Sequence, residues 1–156
     1  MVQLSSSSRF SSINSLVILT QTDTTVGFLS QNAQQLQKIK SRDNTKPFIK
    51  VFLDFQNFKE KHRVPNGQKK LVRRAKRTTF IIKNKALRIA KTPLYSAYLE
   101  HLKWSYSTSA NESGKNFERT FCEAKADIIV EDKNSLFEGK ASKLYKLNNK
   151  KIKRLR

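Results

Sequence analysis

The apolar residues of this chain come in short runs, and that spacing limits what it can fold into. Residues 16–19, 48–53, 78–82, 86–89, 127–130, 142–147 and 151–155 are each of strand length and rich in Val, Ile, Leu or aromatic residues. The first, Leu16-Val17-Ile18-Leu19, is continuous rather than alternating, the pattern of a strand buried on both faces. Helical spacing occurs between some of these runs. Asn32 stands where an N-cap precedes Leu36 and Ile39, and the helix they define delivers Lys40 at its end. Phe55 and Phe58, Leu71 with Val72 and Ala75, Leu94 with Tyr98, Leu99 and Leu102, and residues 117–124 mark further helices, the one after Pro93 ending near Trp104. Pro65-Asn66-Gly67 is a turn, and residues 106–114 form a loop of small residues. Strands outnumber helices and alternate with them irregularly. The expected architecture is α/β, one domain built on a twisted mixed sheet flanked by helices. Residues 1–14 read as a Ser-rich leader and 15–156 as the domain.

The 32 Lys and Arg against 12 Asp and Glu give a formal charge of +20, which attracts polyanions without naming one. A lone cysteine, Cys122, excludes an internal disulfide and fits a reducing cytosol; with His62 and His101 it makes no zinc-ligand spacing. Residues 16–19 are far short of the roughly 20 a membrane span needs. Asp54, Glu60, Asp127, Glu131 and Asp132 show no paired spacing for acid/base work.

Several polar segments carry the chemistry. Lys40 and Arg42, two apart beyond a helix end, project to one side of an extended segment as a point charge and a planar fork, a clamp for a triphosphate; otherwise they are a solvated loop. Thr22 and Thr24 alternate so that both hydroxyls face one pocket while Asp23 points away. Ser109 and Asn111, with Gly114 at the exit, make either an anion cradle or an ordinary turn. The basic stretch 69–77, with Lys69, Lys70, Arg73 and Arg74, and the tail 150–156 are suited to an RNA backbone or to a solvated surface.

In order along the chain, Thr22-Asp23-Thr24 with Gly27, Lys40-Ser41-Arg42 before Lys46-Pro47-Phe48-Ile49, residues 78–82 with Leu87-Arg88-Ile89, and Thr108-Ser109-Ala110-Asn111-Glu112-Ser113-Gly114 resemble the signature stretches of the YrdC-type threonylcarbamoyl-AMP synthase family. Gly139, Ser142 and Leu144, and then Ile152-Lys153-Arg154, resemble its closing strands. Gln21, Val26, Val51, Ala90 and Lys143 depart from it, mostly on the threonine side. The resemblance implies a cytoplasmic enzyme that joins L-threonine, bicarbonate and ATP into threonylcarbamoyl-adenylate, releasing pyrophosphate, for a protein partner that transfers the threonylcarbamoyl group to tRNA. It implies Lys40, Arg42, Thr79, Ser109, Asn111 and Arg154 on ATP, the catalytic ones being Lys40, Arg42, Ser109 and Asn111. Threonine would meet Thr22, Thr24, Arg88, Ser107 and Ser142, and Mg2+ would arrive on the ATP phosphates. The alternative is a relative that binds double-stranded RNA, tRNA or rRNA without catalysis.

Overall fold

The computed structural model describes residues 13–41, 47–92 and 99–156. Its strands are β1 (Ile18–Gln21), β2 (Val26–Ser30), β3 (Ile49–Phe52), β4 (Thr78–Ile82), β5 (Lys85–Ile89), β6 (Trp104–Ser109), β7 (Ile128–Val130), β8 (Lys143–Leu147) and β9 (Ile152–Arg154). Helices α1 (Ala33–Lys40), α2 (Phe55–Lys61), α3 (Lys69–Arg74) and α4 (Arg119–Lys125) accompany them, and residues 99–102 are also helical. The strands form one sheet in the order β7-β1-β2-β6-β3-β5-β4-β8-β9. Pairs β1/β7, β3/β5 and β4/β8 are parallel, and the others are antiparallel. This is the mixed sheet expected from the irregular alternation.

Both faces of the sheet are covered. In β1, Leu19 packs with Val26, Phe28, Leu36 and Cys122, while its neighbour Ile18 packs on the other face with Leu29, Val51, Ala90 and Leu99. Adjacent residues of one strand thus both need apolar side chains, which is why residues 16–19 read as a continuous run. A separate cluster of Phe52, Phe58, Val72, Phe80, Leu87 and Leu147 packs α2 and α3 onto the far half of the sheet. Asn32 caps α1 as its position requires, its side chain accepting from the amides of Gln34 and Gln35.

Several expectations are corrected. Two strands lie where none was read. β2 occupies residues that follow the polar stretch 20–25, and β6 runs through residues taken as a helix end and a loop. They pair with each other at the middle of the sheet, Gly27 opposite Ser109 and Leu29 opposite Ser107. α3 stops at Arg74, because Ala75 is extended and Arg77 has φ 51°. The leader is outside the described residues through position 12, and so are Arg42, expected in the clamp, and residues 93–98, where a helix was expected to begin.

Candidate active site

The site begins with a four-residue turn. Thr22 Oγ donates to the carbonyl of Thr25 at 2.7 Å and accepts from the amides of Thr24 and Thr25, closing the β1–β2 hairpin. Gly27, just inside β2, allows close approach: a Cβ there would sit 3.0 Å from both the Thr108 carbonyl and Thr22 Cγ2. Gly139 approaches the same turn from the other side, its amide donating to Thr25 Oγ at 3.0 Å. A Cβ on Gly139 would fall 2.0 Å from the Thr24 carbonyl oxygen, so this position admits glycine alone in the present backbone.

Beside that turn is a cleft of about 270 Å3, lined by Thr22, Thr24, Gly27, Ile49, Arg88, Ser107, Ser109, Ser142 and Arg156 among others. The five residues expected on the threonine side, Thr22, Thr24, Arg88, Ser107 and Ser142, come together on its walls from four separate parts of the chain.

Arg88 organises the floor. It is 4% exposed. Its Nε and Nη2 donate to Thr79 Oγ at 3.1 and 2.9 Å, and its Nη1 donates to Thr24 Oγ at 3.1 Å and to Asp23 Oδ1 at 3.2 Å. Asp23 therefore does not point away. Its side chain is buried and forms an ion pair with Arg88, because an unpaired guanidinium at that depth would carry a large desolvation cost. The second carboxylate oxygen, Oδ2, is buried with no hydrogen-bond partner. Thr79, expected on ATP, lies beneath the cleft instead. It is 1% exposed, accepts from Arg88 and shares a 2.9 Å hydrogen bond with Ser142 Oγ. Arg156 extends the chain of contacts, its Nε donating to the Ser142 carbonyl at 3.0 Å. Of the two arginines at the end of the chain, the one that joins Arg88 in lining the cleft is thus Arg156; Arg154 is exposed on β9 and its Nε donates to the Arg156 carbonyl. Among the described residues, no acidic side chain lines the cleft.

Lys40 is buried at the end of α1, as its placement predicted, but its contacts are internal. Its Nζ donates to the carbonyls of Ser109 and Asn111 at 3.0 and 2.7 Å and to Asn111 Oδ1 at 2.8 Å. An ammonium has three hydrogens. In this arrangement Lys40 is a latch on the 109–111 loop rather than an open phosphate clamp. Asn111 is equally engaged: Oδ1 also accepts from Ser109 Oγ at 2.6 Å, and Nδ2 donates to the carbonyls of Glu112 and Lys115. Asn111 lines a smaller adjoining pocket of about 150 Å3 that shares Thr25, Ser109 and Ala141 with the main cleft. The Ser-Ala-Asn segment is a pinned loop whose shape two small side chains and one lysine determine.

The departures from the family pattern are accounted for individually. Gln21 Oε1 accepts from the amide of Phe137, tying β1 to the segment before Gly139. Val26, Val51 and Ala90 are core residues away from the cleft lining, and Lys143 is exposed at the start of β8. On α3, Lys69, Lys70 and Arg74 are exposed. Arg73 is exposed as well, but its guanidinium stacks over the Phe55 ring at 4.8 Å and its carbonyl accepts from Lys91 Nζ. Among the described residues, no group of three or more His, Cys, Asp or Glu is placed to hold a metal ion, and no helix is long and apolar enough to cross a membrane.

The missed residues, Asp23 and Arg156, had different signals. Asp23 lies between two threonines that were assigned to the pocket, and its partner is 65 residues away. Arg156 is the second arginine of a basic tail that gives no register by composition alone.

Comparison with known proteins places this architecture. No curated protein matches the chain in sequence. Among solved structures, E. coli YciO superposes with a TM-score of 0.76 at 19% identity, over 91% of this chain and 82% of that one. P. abyssi Sua5 complexed with L-threonine superposes with a TM-score of 0.74 at 19% identity, over 90% of this chain and 50% of that one. HypF, in its phosphate- and nucleotide-bound form, gives 0.72 at 13% identity, over 90% of this chain and 22% of that one. The chain thus spans about half the length of the Sua5 protein it matches. The family model of Sua5, YciO and YrdC, described as "Telomere recombination", matches residues 15–156. By that match and by its fold, the chain belongs to the Sua5/YciO/YrdC family.

Proposed function

We propose that the cleft beside the Thr22–Thr25 turn takes L-threonine, and that the protein joins it with bicarbonate and ATP into threonylcarbamoyl-adenylate for N6-threonylcarbamoyladenosine modification of tRNA. The observation that carries this reading is the convergence of Thr22, Thr24, Arg88, Ser107 and Ser142 on one small cleft whose lining, among the described residues, has no acidic side chain. A guanidinium held in place by Asp23, Thr24 and Thr79 is suited to an α-carboxylate, and the hydroxyls around it to a small polar side chain. A protein of the same fold, P. abyssi Sua5, has been crystallised with L-threonine.

The chemistry would run in two steps. The threonine amine forms an N–C bond to the bicarbonate carbon, with loss of water, giving a carbamate. A carbamate oxygen then attacks the α-phosphorus of ATP, and the P–O bond to pyrophosphate breaks. Charge gathers on phosphate oxygens, so fixed cations and oriented donors matter more than a covalent nucleophile. Arg156 on the cleft wall, Ser109 at its rim and Arg42 are the candidates on the nucleotide side. Lys40 and Asn111 act there by holding the loop that presents Ser109. Mg2+ is carried as part of the nucleotide substrate on its phosphates. The reaction belongs in the cytoplasm, where ATP and tRNA meet, with a separate protein passing the threonylcarbamoyl group to tRNA.

The occupancy of Lys40 favours a second reading. With all three ammonium hydrogens on protein oxygens, the family member could bind ligand or RNA without turnover. One experiment separates the two: pyrophosphate release from ATP, with threonine or bicarbonate omitted in turn. Release that requires both supports the synthase. No release in the complete mixture overturns it in favour of a binding protein, and release that requires neither overturns it in favour of a different ATP-cleaving activity.

A further inference from the structure

The positive charge of this protein is confined to part of its sequence. Residues 61–99 and 139–156 contain 20 of the 32 Lys and Arg and none of the 12 Asp and Glu; the remainder of the chain is balanced. The described parts of these segments build α3, β4, β5, β8 and β9, one end of the sheet. The net charge of +20 therefore belongs to one half of the molecule rather than to its whole surface.

That half carries a groove of about 630 Å3, distinct from the threonine cleft. Because β4 and β8 are parallel, the loops that follow them lie side by side. Lys83-Asn84, both at positive φ, turns β4 into β5, and Asn148-Asn149 begins the turn into β9. The loop 63–67 completes the wall. Arg63, Lys83 and Lys146 supply cations, and Asn66, Asn84 and Asn148 supply amides. Among the described residues, no carboxylate lines it and none of the ion pairs involves these three cations. Its apolar floor, Val64, Ile82 and Leu147, is at most 4% exposed, so none of these large apolar side chains projects from the groove.

The two sites are at opposite ends of the same strand pair. Thr79 and Ser142 underlie the threonine cleft at the start of β4 and β8, whereas Ile82 and Leu147 line the groove at their ends. Four residue steps along the strands separate the end pairs Thr78–Lys143 and Ile82–Leu147, about 13 Å at the usual rise. Occupation of one leaves the other open.

We propose that this groove binds the sugar-phosphate backbone of RNA. A concave, acid-free channel fits a rod-like polyanion and not a flat bilayer, which would need exposed apolar side chains at the contact. The Asn amides can donate to phosphate and both donate to and accept from ribose 2′-hydroxyls, the group that distinguishes RNA from DNA. The turn through Asn66–Gln68 leads directly into α3, so exposed Lys69, Lys70 and Arg74 flank the groove and extend the same track. The proposal does not rest on the activity of the cleft.

The test uses the whole chain and a short fluorescein-labelled single-stranded RNA, read by anisotropy over a range of salt. Three groove cations are replaced together (Arg63→Gln, Lys83→Gln, Lys146→Gln), against a control of equal charge change in the balanced part (Lys38→Gln, Lys125→Gln, Lys133→Gln). All six residues are exposed, and thermal midpoints confirm that both variants fold. The groove variant is expected to bind RNA at least about tenfold more weakly near 0.1 M salt, with the slope of log K against log salt reduced by about 2, as loss of three phosphate contacts requires. The control variant should change little. Equal losses in the two variants would overturn the groove as a site. Equal competition by DNA of the same sequence would overturn its assignment to RNA, as would groove-dependent binding of phosphatidylserine vesicles with RNA affinity unchanged.

Discussion

The two ends of strands β4 and β8 treat charge in opposite ways. At the end that carries the cleft, Arg88 is buried and bonded to Asp23, Thr24 and Thr79, so its position is set by short directional contacts. At the groove end, Arg63, Lys83 and Lys146 are exposed, and their influence on a ligand is long-ranged and sensitive to salt. Substitution at the first end is therefore expected to act on folding and on ligand geometry together. Substitution at the second end should act on binding alone. Each prediction below probes that contrast.

The largest effect is expected at Arg88. Arg88→Ala leaves the Asp23 carboxylate buried without its counter-charge, and breaking a buried pair from one side costs about 3–5 kcal/mol. For a chain of this length that is a fall of about 10 °C in the thermal midpoint. Adding Asp23→Asn to the same protein should restore part of the loss, because the stranded charge is then gone. Urea denaturation of the single and double variants reads this directly. A double variant no more stable than Arg88→Ala would show that hydrogen bonding to Thr79, not charge pairing, dominates the floor.

Glycines sharpen the comparison at lower cost. Gly139→Ala drives a methyl into the Thr24 carbonyl, so the turn or the strand before β8 must shift; about 1–3 kcal/mol of overpacking is expected, together with weaker threonine binding. Gly67→Ala, at the groove, meets nothing within 4 Å and should be near neutral. Calorimetry with L-threonine and thermal melts of both variants distinguish them. Comparable destabilisation at the two glycines would contradict the close approach at Gly139.

Next in size is the pinned loop. Asn111 makes four side-chain hydrogen bonds, one of them from Lys40, whereas Ser109 contributes one to Asn111. Asn111→Ala should cost about 2 kcal/mol and Ser109→Ala under about 1. If the loop serves turnover, Ser109→Ala lowers the rate of pyrophosphate release about a hundredfold or more while the fold holds. A near-normal rate in a folded Ser109→Ala protein would reduce the loop to a structural turn.

Much of this was legible in the sequence where local signals agreed with the fold. The Asn32 cap, the apolar pair Leu36 and Ile39, and the run at 78–82 each specify their element without help from distant residues. β6 was hidden by the same feature that makes the cleft: Ser107, Thr108 and Ser109, which line it, are small and polar and read as loop, whereas Val26, Phe28 and Leu29 were an available apolar signal for β2. The alternation of Trp104, Tyr106 and Thr108 with Ser105, Ser107 and Ser109 was the available strand signal in β6. Asp23 could not be placed, because its burial depends on Arg88, brought near only by the sheet order. The polycation was visible as a total. Its confinement to the acid-free segments became a structural statement once β4, β5, β8 and β9 were seen to adjoin.

The smallest effect expected is a pH dependence in the basic half. His62 packs edge-on against Phe52 and Phe58, at centroid distances of 5.4 and 6.0 Å, and its buried Nε2 has no hydrogen-bond partner. Burial, with the nearby charges of Lys50 and Lys85, holds its pKa below the ordinary imidazole value. The neutral ring is thus the form the fold accepts. In the unfolded chain His62 takes up a proton as pH falls through about 6.5, before the folded protein does. Stability should accordingly be level above that pH and decline as pH falls from there toward the folded-state value. His62→Phe removes the titration but keeps an aromatic ring of similar shape, so its melting temperature should vary less between pH 7.5 and 5.5, values on either side of the ordinary histidine pKa of about 6.5. Parallel pH profiles for the two proteins would mean that His62 is solvated in solution and that the charge of this half acts only on what binds to it.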